Sequence, residues 1–261
     1  MNLKHGGENE LYSLNMNTPE YISMDVYQTT DCGYLTFRRN SEDNENFFHH
    51  NSLYQISLSD LQGLKRLFEG LEKYQLAPKL KPVIYLYPPR PTQMDVTLTP
   101  HGDTFTETIP HYNTGWRVLA RPNGQVTNLA DGKTYPYLFW ESIGPPVVDD
   151  ITEGFLVARD DLDAFLREKL AFMGLLPVEY EEFIEFWLPL LSRNAYSLIY
   201  FAGEEYTARF PLEITPAPDS VLRVFMVARP ATGREKIAPQ RLQPFTRKGF
   251  SVVEWGGSLF A

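Results

Sequence analysis

One cysteine, Cys32, stands in 261 residues, so no intrachain disulfide can form and the core must hold without one. Cys32 sits in Thr30-Asp31-Cys32-Gly33, beside a carboxylate and a turn, not in the electropositive setting that activates a thiol. No stretch approaches the roughly 20 apolar residues of a membrane span. Met1 to Gly7 has no apolar leader core, so a soluble, cytoplasmic protein is expected. Basic runs are also missing. The longest are the pairs Arg38-Arg39, Lys65-Arg66 and Arg247-Lys248, while the net charge is −9 and the pI about 5.1. Phosphate neutralisation needs a basic face, so nucleic acid is not the expected partner. There is no GxGxxG, no P-loop, no Gly-x-Ser-x-Gly elbow and no internal repeat. The five histidines form no HxH, HxxxH or HExxH spacing. The best metal candidate, His101 with His111 and Glu107, only flanks one strand, and no metal or cofactor is expected.

Aromatic residues are what the chain has in excess, at 14% against 43% hydrophobic overall. Rings bury large areas, so either the core or a surface groove is ring-rich. The spacing of apolar residues and turns predicts an α+β protein. An antiparallel β-rich body, sandwich or barrel-like, carries an inserted helical hairpin and is preceded by a small β-β-β-α unit.

Residues 1–17 are polar and expected to be loose. Residues 18–76 form the small unit, with strands at Tyr21–Tyr27, Gly33–Arg39 and Leu53–Ile56, then a helix. Ser59 and Gln62 have the form of a capping box for that helix, which Leu61, Leu64, Leu67, Phe68 and Leu71 line at helical spacing. The main domain spans 81–261. Its β-rich part, 81–141, opens with the apolar run Val83–Leu86 stopped by Pro88-Pro89. The helical hairpin spans 159–192. Asp160 or Asp161 caps its first helix, Gly174 follows that helix, Pro177 opens the second, and Pro189 should kink or end it. Strands return over 197–257, at Ser197–Phe201, Thr207–Ile214, Val221–Val227 and Phe250–Trp255. Gly256-Gly257-Ser258 reads as a flexible exit.

Several strings are specific: 81–88 (Lys-Pro-Val-Ile-Tyr-Leu-Tyr-Pro), Tyr112-Asn113-Thr114-Gly115-Trp116, 135–141 (Tyr-Pro-Tyr-Leu-Phe-Trp-Glu), Trp187-Leu188-Pro189, 218–227 and 249–257. Through them residues 81–257 resemble a family of uncharacterised bacterial proteins. The resemblance implies no activity. It implies export for some members, which follow an export signal and surface-attachment domains. Ala195 stands before Tyr196 where that family is expected to have proline, and residues 1–80 lie outside the match.

Two functions compete on the residues themselves. The first is a non-enzymatic binding or interaction domain for a ligand or protein partner. It would use an aromatic face around Tyr112, Trp116, Tyr137 and Trp140, with Arg223 as its cation. Alternation puts Tyr135, Tyr137 and Phe139 on one face and Leu138 and Trp140 on the other. The second is a hydrolase acting through Glu141 and Glu254, each next to a tryptophan that could raise a carboxyl pKa. Such a pair must stand about 5–9 Å apart to flank one bond. The alternative for these acids is structural pairing with Arg117 or Arg223. A third reading, nucleic-acid binding through 18–76, meets 11 acidic against 7 basic side chains in residues 1–80.

Overall fold

The computed structural model describes residues 2–5, 10–16, 22–28, 33–39, 52–57, 59–64, 66 and 82–259. The chain divides into two compact units, Met1–Leu76 and Ala77–Ala261.

The first unit is an antiparallel meander of five strands in sequence order. They are β1 (Asn2–His5), β2 (Glu10–Met16), β3 (Ile22–Gln28), β4 (Gly33–Arg39) and β5 (Ser52–Ile56). Residues 1–17, expected to be loose, thus supply two strands. The cause is readable in β2, where Tyr12, Leu14 and Met16 alternate with Ser13 and Asn15. Composition had hidden that period. Helix follows at 59–64, with Leu61 buried. Its cap is Ser57, not Ser59. Ser57 Oγ accepts the Asp60 backbone N–H at 3.1 Å and donates to the Asp60 carboxylate at 2.6 Å. Leu67, Phe68 and Leu71 lie outside the described residues.

The second unit has two sheets. The smaller has the order β11-β10-β9-β7-β15. These strands are β7 (Thr92–Leu98), β9 (Trp116–Ala120), β10 (Val126–Asn128), β11 (Thr134–Tyr135) and β15 (Leu212–Thr215). The larger runs β17-β13-β14-β16-β18-β6-β12-β8. Its strands are β6 (Val83–Tyr87), β8 (Thr104–Ile109), β12 (Leu138–Ile143), β13 (Glu153–Ala158), β14 (Tyr196–Ala202), β16 (Ser220–Ala231), β17 (Ala238–Pro239) and β18 (Ser251–Leu259). Pairing is antiparallel except at β16·β18 and β13·β17. The fold is α+β and sandwich-like, as the sequence pattern predicts.

Two cores result, one on each side of the large sheet. Ile84, Leu86, Leu138, Trp140 and Phe225 face the small sheet's Met94, Val96 and Trp116. Val83, Tyr85, Val253 and Trp255 face the other way, toward two helices. A strand buried on both faces must be apolar at every position, which is why β6 reads as an unbroken run and not an alternation.

The helices are α1 (Leu162–Phe172) and α2 (Pro177–Leu191). Leu162, Leu166 and Leu170 recur every four residues and are buried, as are Phe183, Ile184, Trp187 and Leu191. Pro177 occupies the first turn as expected, but Pro189 lies inside α2, which runs two residues past it. Asp161 makes no side-chain cap bond; Asp160 and Asp161 instead belong to a 3-10 turn over Arg159–Asp161. At the α2 N-terminus Glu179, wholly buried, accepts the Leu176 N–H at 2.7 Å and pairs with Arg247.

Two further expectations are corrected. Thr207–Ile214 does not form one strand. A short helix, α3 (Glu204–Arg209), precedes β15, because Tyr206 and Phe210 sit four residues apart and both enter the inter-sheet core. Gly256-Gly257-Ser258 is no flexible exit. It lies in buried β18, between β16 and β6. A Cβ on Gly257 would stand 2.8 Å from Met226 O and 3.0 Å from the Trp187 ring. Glycine is there so that the helix layer can close on the sheet.

Candidate functional site

The aromatic residues form an interior chain. Trp116 meets Tyr112 edge-on at 4.5 Å, Tyr112 meets Phe105 at 5.0 Å, and Phe105 meets Trp140 at 5.8 Å. Trp140 then packs on Phe210 at 4.9 Å, and Tyr206 bridges Phe210 to Phe225. Trp116 and Trp140 are 1% and 0% exposed. The expected ligand face around them is therefore core. Tyr137 leaves the opposite side of the large sheet, with Tyr85 and the helices. The alternation expected at 135–141 holds from Tyr137 to Trp140. Tyr135 departs from it because Pro136 separates two strands belonging to different sheets.

Arg223 and Glu254 form a buried ion pair between the sheets, with side chains 8% and 0% exposed. The Trp140 Nε1–H donates to Glu254 at 3.1 Å, Arg223 donates to Phe210 O at 2.6 Å, and its guanidinium lies 4.7 Å over the Tyr206 ring. Burial works against the Arg223 charge, but the Glu254 carboxylate outweighs it and holds its pKa above the ordinary value. Burial likewise pushes the Tyr206 hydroxyl well up. Arg223 is committed to this network.

Glu141 is elsewhere. Its carboxylate accepts Thr106 Oγ1 at 2.8 Å near the β8 edge of the sheet. Trp140 precedes it on β12 and points to the Glu254 side, so Glu141 leaves the opposite face. Two carboxyls on opposite faces, one sealed against an arginine, cannot flank a glycosidic bond. The paired-carboxylate arrangement is not present. Among the described residues no three His, Cys, Asp or Glu side chains are placed to share a metal. No helix among them is long and apolar enough to cross a membrane. Most side chains of 18–76 lie outside the described residues, so the nucleic-acid reading rests on charge alone, and charge is against it.

What Tyr112 and Trp116 do is hold a loop. The Tyr112 hydroxyl donates to Leu98 O at 2.8 Å and accepts Leu98 N–H at 2.9 Å. It thereby satisfies both backbone groups of β7 where the pairing with β9 has ended at Val96. The Tyr112 N–H is held by Thr108 Oγ1 at 2.9 Å, and the Trp116 indole N–H by Pro110 O at 2.7 Å. Gly115, at φ +145°, lets the loop press on β7; a Cβ there would lie 3.2 Å from Val96 O.

This braced loop walls a cleft of about 460 Å³. Asp95, Thr97, His111, Asn113, Thr114 and Arg117 line it. The turn after β10 closes the far side with Leu129, which is 45% exposed. Arg117 Nε donates to Asp95 at 3.0 Å, which fixes the guanidinium at the rim. The cleft thus combines an Arg117–Asp95 ion pair, an amide, hydroxyls and an imidazole with one apolar wall. The rings inside 112–116 drew attention in the sequence. The residues that face solvent are the small polar ones between them, and the signal for them was an Asn-Thr-Gly turn set between two anchoring rings.

Comparison with known proteins adds one finding. Over 75 residues, 28% of this chain and 75% of the relative, the sequence is 41% identical to an uncharacterized protein in the bglA 3' region of Butyrivibrio fibrisolvens. No family model and no solved structure matches the chain. The chain belongs to the family of that Butyrivibrio protein.

Proposed function

We propose that the chain is a non-enzymatic binding protein and that its ligand site is the cleft beside residues 110–117. The supporting observation is preorganisation. Four hydrogen bonds from Tyr112 and Trp116 fix a loop whose polar residues make no core contact of their own. Rigid support under exposed polar groups is what a binding site needs, since it lowers the ordering cost of association. The volume, about 460 Å³, falls in the range of small-molecule sites. The lining fits a small polar ligand carrying hydroxyl or carboxylate groups. Arg117 and Asn113 would donate to it, and Leu129 would cover its apolar side.

The aromatic residues keep a part in this reading as the foundation of the loop. Tyr137, Trp140 and Arg223 do not belong to it. The test is a calorimetric titration of the full chain with a panel of mono- and disaccharides and small dicarboxylates, repeated on Arg117→Ala. Arg117 is exposed, so its loss leaves the fold intact. At least one probe should bind, and it should lose roughly tenfold or more in affinity with the variant, as the loss of a charged hydrogen bond implies. Binding that the variant leaves unchanged removes the cleft from the account.

A further inference from the structure

The floor of the cleft beside residues 110–117 is the outer face of the small sheet. Met94, Val96, Trp116 and Val118 turn into the core, so alternation turns Asp95, Thr97 and Arg117 outward. The register sets Asp95 of β7 directly opposite Arg117 of β9, and Thr97 opposite Glu213 of β15. Directly opposed residues share a face, so Glu213 stands on this surface as well. Two carboxylates thus accompany one guanidinium across three neighbouring strands.

That guanidinium is already balanced. Its Nε donates to Asp95 Oδ1 at 3.0 Å, with the Arg117 and Asp95 side chains 69% and 56% exposed. The second Asp95 oxygen and the Arg117 Nη groups take no hydrogen bond among the described residues, and both residues line the cleft. A ligand carboxylate drawn to Arg117 would come up against Asp95, with Glu213 on the next strand. It also has no proton to give the open Asp95 oxygen. Like charges brought together in this way select against such a ligand.

A hydroxyl group both donates and accepts. Of two adjacent hydroxyls, one can donate to Asp95 while the other accepts from Arg117. Thr97, Asn113 and Thr114 line the cleft with side chains of the same dual kind. Leu129, 45% exposed, is placed to meet the C–H face of a ring. Trp116 is buried and offers no stacking surface, so hydrogen bonds must hold the ligand.

On the reading that this cleft is a binding site, we propose that its ligand is an uncharged polyhydroxyl molecule of the monosaccharide class, with Asp95 as the residue that excludes anions. Arg117 then serves as a neutralised donor and not as an anion anchor.

The test compares matched probes on the labelled full chain, at pH 8 to keep imidazole charge out of the comparison. Glucose is set against glucuronate and galactose against galacturonate, with succinate as a third class of probe. Affinities are read from the amide shifts of Asn113, Thr114 and Arg117. At least one neutral sugar should bind, and its uronate should bind at least about tenfold more weakly. Asp95→Asn keeps an acceptor oxygen and loses the charge, so it should narrow that gap to about threefold or less. If the variant misfolds, the gap on the unaltered protein still decides. The proposal is overturned if a uronate or succinate binds as tightly as the sugars, or if folded Asp95→Asn leaves the gap unchanged. In those cases the same amides still move and the cleft remains a binding site. If no probe moves them, the cleft reading itself fails and this ligand class falls with it.

Discussion

Glu254 is a fully buried acid between the two sheets. Its carboxylate is out of reach of solvent and is balanced by Arg223 and Trp140. Removing one partner of such a pair leaves a charge uncompensated in the interior, at a cost of about 3–5 kcal/mol. Arg223→Ala should lower the unfolding free energy by that amount in urea, while Arg223→Met with Glu254→Leu should recover much of it. A loss below about 1 kcal/mol would mean that Glu254 is not charged or not sealed. On the helix side Tyr85 donates to Glu182, and burial followed by the same carboxylate pushes the Tyr137 hydroxyl up to about 12 from 10.0. A raised folded-state value holds the proton longer than the unfolded chain does. The stability it brings is full below pH 10 and is lost as pH rises toward 12. The unfolding free energy should fall across that window, and less steeply in Tyr137→Phe. An identical slope in the variant would contradict this. The sequence offered pairing with Arg117 or Arg223 as the structural alternative to catalysis for Glu254, and could not show the burial that decides between them. Burial and face are tertiary facts, and nothing local separates a sealed glutamate from a catalytic one.

At the scale of elements, β18 and α2 fit through an absence of side chain. Gly257 lies under the Trp187 ring and against the Met226 carbonyl. Gly257→Ala should destabilise by about 1–3 kcal/mol, the usual effect of overpacking a close contact. Denaturant midpoints would show it, and an unchanged midpoint would mean that the helix layer can move away. The strands and hairpin helices with strong period were legible in advance: β6, β9, β12, α1 and α2 fall where alternation, proline and helical spacing put them. Others were not, β1, β13 and β17 among them. β2 was hidden by polar composition, α3 by a short pattern that also fits a strand, and β18 was cut short because two glycines look like a loop. In each case packing against a neighbour outweighed the local signal.

For the whole molecule, the second unit is three layers, a small sheet, a large sheet and a helical pair, with one core on each side of the large sheet. This accounts for the ring content. An interior flanked by two layers needs many large side chains, and the chain from Trp116 through Trp140 to Phe225 fills one of those cores. Each aromatic contact adds about 0.5–1.5 kcal/mol beyond the area it buries. The sequence signalled that rings would matter and left open whether they fill the core or a surface groove, because alternation within β12 cannot say that both faces of its sheet are covered.

The proposed ligand site stands on Tyr112 and Trp116, whose rings pack into the inter-sheet core. Backbone amide shifts of the labelled full chain, recorded during titration with the same saccharide and dicarboxylate panel, test it most directly. The account predicts that the perturbed amides cluster at His111, Asn113, Thr114 and Arg117, with the probe recovered unaltered. Shifts confined to another face, or chemical conversion of the probe, would contradict it.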